Sequence, residues 1–396
     1  MLPLALLCFW GLQPKSAFCK SLKFSVDNKT FFKNLEREPR PISAPYTIPP
    51  GQTITGSILK PSFQYNVKKG VDIELGGLMN LPFGHDDRVS QGDPIISLHY
   101  DFRPGWRFTA GTLNREHPLL DAIFDDDLEF TDPVEQGFQF QADTQKLRQD
   151  LWIDWELNET STRKEKFSLG NYTQWISGNF MVDGQFYWVH SGGQRNSGGP
   201  AENNFTYALG MGYSFSKTRF QESNTPYRKK WDSQKTGFTV HFINSRDKIP
   251  NVGVEGFTTN EDNGLLFKLF TTRWNTDFYI RVWTGGSTQF IPGKGDPLYT
   301  ARDFEEFGLK KTWWIDDDIS IRGSYQVSEQ SGEITHTELV SVQWHVDFEF
   351  FKNQNRTAPT RPWPDSRNFD SKKLPRVSEP SYYDKKSSRG SWPLSN

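Results

Sequence analysis

The sequence predicts an all-β chain, closing as an antiparallel transmembrane β-barrel of about 14–16 strands. Three observations lead there. Between about Gln52 and Phe351 apolar residues recur at every second position, and helical spacing competes nowhere over a comparable length. Hydrophobic residues make up only 35% of the 396 residues, yet aromatics reach 15%, with 32 Phe and 14 Trp. The mean hydropathy is negative. No apolar run of about 18 residues is present to cross a bilayer as a helix, whereas a barrel needs only every second residue to face lipid. Finally, short and long connections take turns along the first half of the chain, as in a barrel whose two ends differ.

The elements follow in order. Leu2 to Leu12 is an uninterrupted apolar run and Lys15 is the first charge. That length suits a signal-peptide core, so residues 1–19 are expected to be removed on export, with cleavage after Ala17 or Cys19. Cys8 and Cys19 are the only cysteines, which excludes a disulfide framework or a cysteine metal site from the mature chain. Residues 20–51 read as an N-terminal extension, and 52–351 as the barrel domain. The segment 352–396, rich in Pro, Ser, Lys and Arg without periodicity, reads as a mobile polar tail.

Within the barrel domain the alternation is clearest at the end. Val340, Val342, Trp344, Val346, Phe348 and Phe350 share one face; Ser341, Gln343, His345, Asp347 and Glu349 share the other. Phe205, Tyr207, Leu209, Met211, Tyr213 and Phe215 alternate in the same way with Thr206, Ala208, Gly210, Gly212 and Ser214. Tight turns are expected near 68–70, 104–105, 275–276 and 315–317, and long connections at 79–93, 114–134, 191–203, 217–234 and 285–301. Two long connections around a single strand break the rhythm, which points to a strand missed or invented between 190 and 235.

The polar faces carry mixed charge. Asp101, Arg103, Arg107, Asp150, Asp154, Glu156, Arg281 and Arg322 all fall on the polar register of their strands, and suit a water-filled lumen in which opposite charges set a transverse field. The bland reading of the same residues is a solvated sheet face. Aromatics near strand ends, such as Trp106, Trp175, Trp274 and Trp313, suit interfacial girdles, though Trp also fills sandwich cores.

On these features the chain resembles bacterial outer-membrane β-barrel proteins of the porin-like kind. The resemblance covers roughly 52–351 and rests on architecture, with no diagnostic motif. It implies long outer loops, short periplasmic turns, a place in the bacterial outer membrane, and a charged aqueous channel for hydrophilic solutes or polymers. The implied partners are outer-membrane lipid and a hydrophilic solute or polysaccharide; no cofactor is implied. In such proteins the last strand commonly ends the chain on an aromatic. Phe350 and Phe351 fit that rule, but 352–396 follow them.

Little points to catalysis. Nucleophile-elbow, zinc-helix, phosphate-loop and paired-cysteine motifs are all missing from the sequence, so no catalytic residue is assigned. With Lys+Arg 46 against Asp+Glu 48 the net charge is −2, which gives no footprint for nucleic acid. The segment holding Glu116, His117, Asp121, Asp125, Asp126 and Asp127 is the most distinctive stretch outside the strands. It reads as a constriction loop folded inward or a solvated acidic loop; its spacing does not match a calcium loop, and no metal is assigned. The alternative to the channel is a secreted soluble β-sandwich that binds or hydrolyses carbohydrate through its aromatics and carboxylate pairs.

Overall fold

A computed structural model describes residues 21–352, apart from 37–39, 44–45, 49–50, 85–88, 90, 145, 193–199, 216–235, 252–255, 275, 286–289, 301, 316–317 and 331. The expected signal segment 1–19 and all but the first residue of the tail 352–396 lie outside the described residues.

The strands are β1 (Ser21–Glu36), β2 (Arg40–Ser43), β3 (Tyr46–Ile48), β4 (Gln52–Lys68), β5 (Val71–Pro82), β6 (Gln91–Arg103), β7 (Trp106–Thr112), β8 (Gln136–Asp143) and β9 (Leu147–Leu157). They continue with β10 (Glu165–Ser177), β11 (Phe180–Gly192), β12 (Glu202–Ser214), β13 (Thr236–Pro250), β14 (Phe257–Arg273), β15 (Thr276–Gly285), β16 (Asp303–Trp314), β17 (Ile319–Gln330) and β18 (Glu333–Lys352). Among the described residues one short helix, α1 (Leu128–Thr131), and one 3-10 turn, Pro297–Thr300, interrupt the β pattern. β2 and β3 pair only with each other; the other sixteen strands form one closed antiparallel barrel.

Closure is made by β1, which pairs with β18 on one side and β4 on the other. The barrel therefore begins at Ser21, and the N-terminal extension expected at 20–51 is corrected. Its first half is a wall strand, hidden in the sequence because Asn28 and Thr30 sit among the outward residues and Phe31 among the inward ones. A soluble sandwich, with its open edges, is likewise excluded by the closed ring.

Alternation settles which way each side chain points. Leu209 is 62% exposed on the outer surface while its neighbour Ala208 is fully buried on the inner one. Outward columns such as Ile96, Leu98, Tyr100 and Phe102, or Val340, Val346 and Phe348, make an apolar belt. The tight turns 69–70, 104–105 and 178–179 lie at one end of the barrel. Gly105 takes a left-handed φ of 75° at one of them, where a side chain would meet the Asp143 carbonyl. The connection 215–235 also falls at this end, because β11, β12 and β13 pair consecutively. The break in rhythm expected between 190 and 235 falls largely on 193–199 and 216–235, which lie outside the described residues.

Candidate functional site

The core of this barrel lies in its lumen. Connection 113–135 leaves the long-loop end of β7, turns inward and returns to β8. Its apolar residues Leu119, Ala122, Ile123 and Phe124 are buried in a cluster with inward side chains of β9 to β16, among them Trp152, Tyr187, Ile243 and Trp283. Phe130, on α1, joins a second cluster with Phe31, Ile58, Leu78, Ile95 and Leu339 from the opposite wall. Residues 290–300 fold in beside it. The Asp125 amide donates to the Lys294 carbonyl at 2.8 Å, and the Asp296 amide to the Asp121 carbonyl at 2.8 Å. Phe290, Leu298 and Tyr299 are buried in the first cluster. Together the two loops narrow the lumen at this level.

Charge fixes them to the wall. Arg281 on β15 reaches Asp121 at 2.5 Å and Glu306 at 2.6 Å. Lys29 on β1 binds Glu129 at 2.9 Å, Arg322 on β17 lies 3.8 Å from the same carboxylate, and Lys33 pairs with Asp127. Lys294 bridges to Glu156 on β9 at 2.7 Å. Burial, then the charge of neighbouring Asp296, pushes the Asp125 carboxyl up to about 8.

His117 is the centre of this arrangement. Its Nδ1–H donates to Asp150 Oδ2 at 2.9 Å and its Nε2–H to Glu135 Oε2 at 2.5 Å, with the imidazole wholly buried. The ring lies flat on Trp152, centroids 3.5 Å apart and planes 5° from parallel. Trp152 can lie there because Gly170 on the next strand has no side chain to oppose the indole. Burial would depress the imidazolium, but the carboxylates of Glu135 and Asp150 outweigh it and raise the group to about 9. Glu135, whose burial alone would raise it, is held below the usual carboxylate range chiefly by the His117 charge. The site at neutral pH is an imidazolium clamped between two carboxylates.

Of the residues singled out in the sequence, His117, Asp121, Asp125, Asp127, Asp150, Glu156, Arg281 and Arg322 meet in or beside this assembly. Gln136 donates its amide to Asp154 at 2.7 Å at the rim of the loop. Asp101 and Arg107 pair with each other at 2.6 Å elsewhere in the lumen. Arg103 lies at the short-turn end over the Trp106 ring, and Glu116 is exposed. Sequence reasoning missed Arg115, Glu135, Trp152 and Lys294. Trp152 was open to discovery, since it shares parity with Asp150 and Asp154. Among the described residues no group of three or more His, Cys, Asp or Glu is placed to hold a metal ion.

A match to the family described as lipid A 3′-O-deacylase-type covers residues 13–328. The chain belongs to that family. The loop that carries His117 lies inside the region shared with other lipid A 3′-O-deacylase-type proteins. No curated protein sequence matches the chain. Similar solved structures include an anion-selective porin from Comamonas acidovorans, 10% identical, with TM-score 0.48, covering 82% of this chain and 99% of that one. OmpT of Vibrio cholerae is 9% identical, with TM-score 0.47 and the same two coverages. OprD of Pseudomonas aeruginosa is 9% identical, with TM-score 0.43, covering 84% of this chain and 95% of that one.

Proposed function

We propose that the protein resides in the bacterial outer membrane and hydrolyses an acyl ester of a lipid A-class glycolipid, with His117 as the base that activates water. The observation that carries this reading is the buried Asp150–His117–Glu135 array that the inward loop holds against the wall. Membership of the lipid A 3′-O-deacylase-type family supports the substrate class. The chemistry is supported by Asp150, which holds Nδ1–H, the orienting role a carboxylate plays toward histidine in acyl transfer; Nε2, capped by Glu135 in this structure, is then the nitrogen that acts once uncovered.

The test is incubation of the folded protein in micelles with purified lipid A, followed by mass spectrometry. Loss of one ester-linked acyl chain is expected, and its disappearance in His117→Asn. Unchanged lipid A with the wild-type protein would refute the hydrolase.

A second reading, the charged aqueous channel, is favoured by the inward register of Asp101, Arg107, Asp150, Asp154, Glu156, Arg281 and Arg322. Passage would require displacement of the 113–135 loop, so the expected planar-bilayer signature is rare openings that become frequent when that loop is deleted. Absence of conductance from both forms would reject the channel.

A further inference from the structure

In the site as it stands, both nitrogens of His117 are occupied, so a base needs one of them released. Glu135 is the group in the way: its Oε2 accepts from Nε2, while its Oε1 is buried with no hydrogen-bond partner. Arg115 lies beside that second oxygen. Its Nη1 is 3.7 Å from Glu135 Oε1, its side chain is 10% exposed, and Nε, Nη1 and Nη2 are all buried without a hydrogen-bond partner. The nearest other acid, Asp132, is 3.9 Å away, and the guanidinium stands 5.4 Å over the Phe124 ring. A guanidinium and a carboxylate oxygen, each buried without a hydrogen bond, are costly to leave apart by less than 1 Å beyond bonding distance.

From this juxtaposition we infer that Glu135 is a two-position carboxylate: it caps His117 Nε2 in the closed site, and swings onto the Arg115 fork to uncover that nitrogen. The inference rests on the hydrolase reading for its purpose but not for its test. In the swing Glu135 exchanges one charge-assisted hydrogen bond for a bidentate pair. Nε2 then gives up its proton to water, leaving a neutral imidazole that can accept one from the attacking water, while Asp150 keeps Nδ1–H. Arg115 is thus a positioning residue, acting on His117 through Glu135. The other charged and titratable groups around the ring are Asp150 and Asp154 from β9, Tyr187 from β11 and Lys294 from the neighbouring loop. None of them offers Glu135 an unpaired fork.

Diethyl pyrocarbonate modifies neutral, accessible imidazole nitrogen, so the rate at which His117 acquires the adduct reports its uncapping. The measurement uses the full chain in micelles at pH 7.5, with peptide mass spectrometry to separate the seven histidines. Arg115→Gln removes the landing place, and His117 should react at least tenfold more slowly than in wild type. Arg115→Lys, a cation without the fork, should fall between them, and Glu135→Gln should react at least tenfold faster. A purely structural Arg115 gives the opposite sign, because its loss loosens the loop; reaction of Arg115→Gln at or above the wild-type rate overturns the inference. If Arg115→Gln loses the heat-modifiable gel mobility of a folded barrel, Arg115→Lys decides alone, and a rate equal to wild type overturns it. The adduct pattern is independent of ester cleavage. Unchanged lipid A with the expected rates would sink the hydrolase and leave the switch; cleaved lipid A with the reversed rates would do the converse.

Discussion

Raising the pH from 6.5 through 9 is expected to release the 113–135 loop from the barrel wall. The imidazolium of His117 sits at about 9 when docked, against 6.5 for the ordinary group. A group raised on docking contributes its full stabilisation below 6.5 and loses it as the pH climbs through about 9. That interval corresponds to roughly 3 kcal/mol, a loss of more than a hundredfold in the docking equilibrium. Asp125 acts in the same direction at lower pH: its carboxyl ionises near 8 in the docked loop, so its contribution declines from about 4 up to about 8. Glu129 and Glu135 are held low and Lys294 is held high, so all three keep their charge across the window. Hydrogen exchange of the amides from 119 to 131, corrected for the intrinsic pH dependence, should show protection lost between 6.5 and 9.5 while the strands stay protected. His117→Gln should flatten the upper part of that profile. Protection unchanged up to pH 9.5, or the same profile in the variant, would refute the clamp.

Three further outcomes are expected. Leu209→Arg places a charge on the lipid-facing surface and should destabilise the barrel by about 2–4 kcal/mol if it lies near the bilayer midplane, measured by urea unfolding in liposomes; Leu209→Phe should be nearly neutral. Arg281→Met leaves the buried Glu306 and the half-buried Asp121 without their shared cation, so the loop should lose about 3 kcal/mol of docking stability, seen as fast exchange at 119–124 with heat-modifiable gel mobility retained. Gly170→Ala puts a methyl group into the Trp152 ring; the indole must move, and the NMR titration midpoint of His117 should fall.

The wall of this molecule was legible and its filling was not. Val340 to Phe350 announces its own two faces, because each residue there needs only its neighbours to be understood. β1 was passed over for a local reason. Asn28, Thr30 and Ser57 face outward and satisfy one another, the Asn28 amide donating to Ser57 Oγ at 2.6 Å, while Phe31 faces inward onto Phe130. Three exceptions in one strand erase a period-two signal. His117 stood out as a histidine in an acidic loop, but its meaning depends on Glu135, Asp150 and Trp152, which converge only once the loop has entered the barrel. Arg281 was placed on the correct face by parity alone; that its counter-ion would be Asp121, from the far side of the sequence, no spacing rule contains.

The seam between β1 and β18 carries a consequence for biogenesis. Residues 21–36 must find 333–352, so every other strand has to be made before the ring can shut, and a nascent or truncated chain lacking β18 keeps two raw edges. The 113–135 loop touches both sides of that gap, through Lys29 and Lys33 on β1 and through Arg322 on β17. A closed ring cannot easily be threaded afterwards by a loop carrying this much buried surface. Insertion of the loop therefore belongs before or during ring closure, and the same ion pairs that hold it in the finished protein draw β1 and β17, the two flanks of the place β18 fills, together, shortening the search that such a long-range pairing otherwise requires.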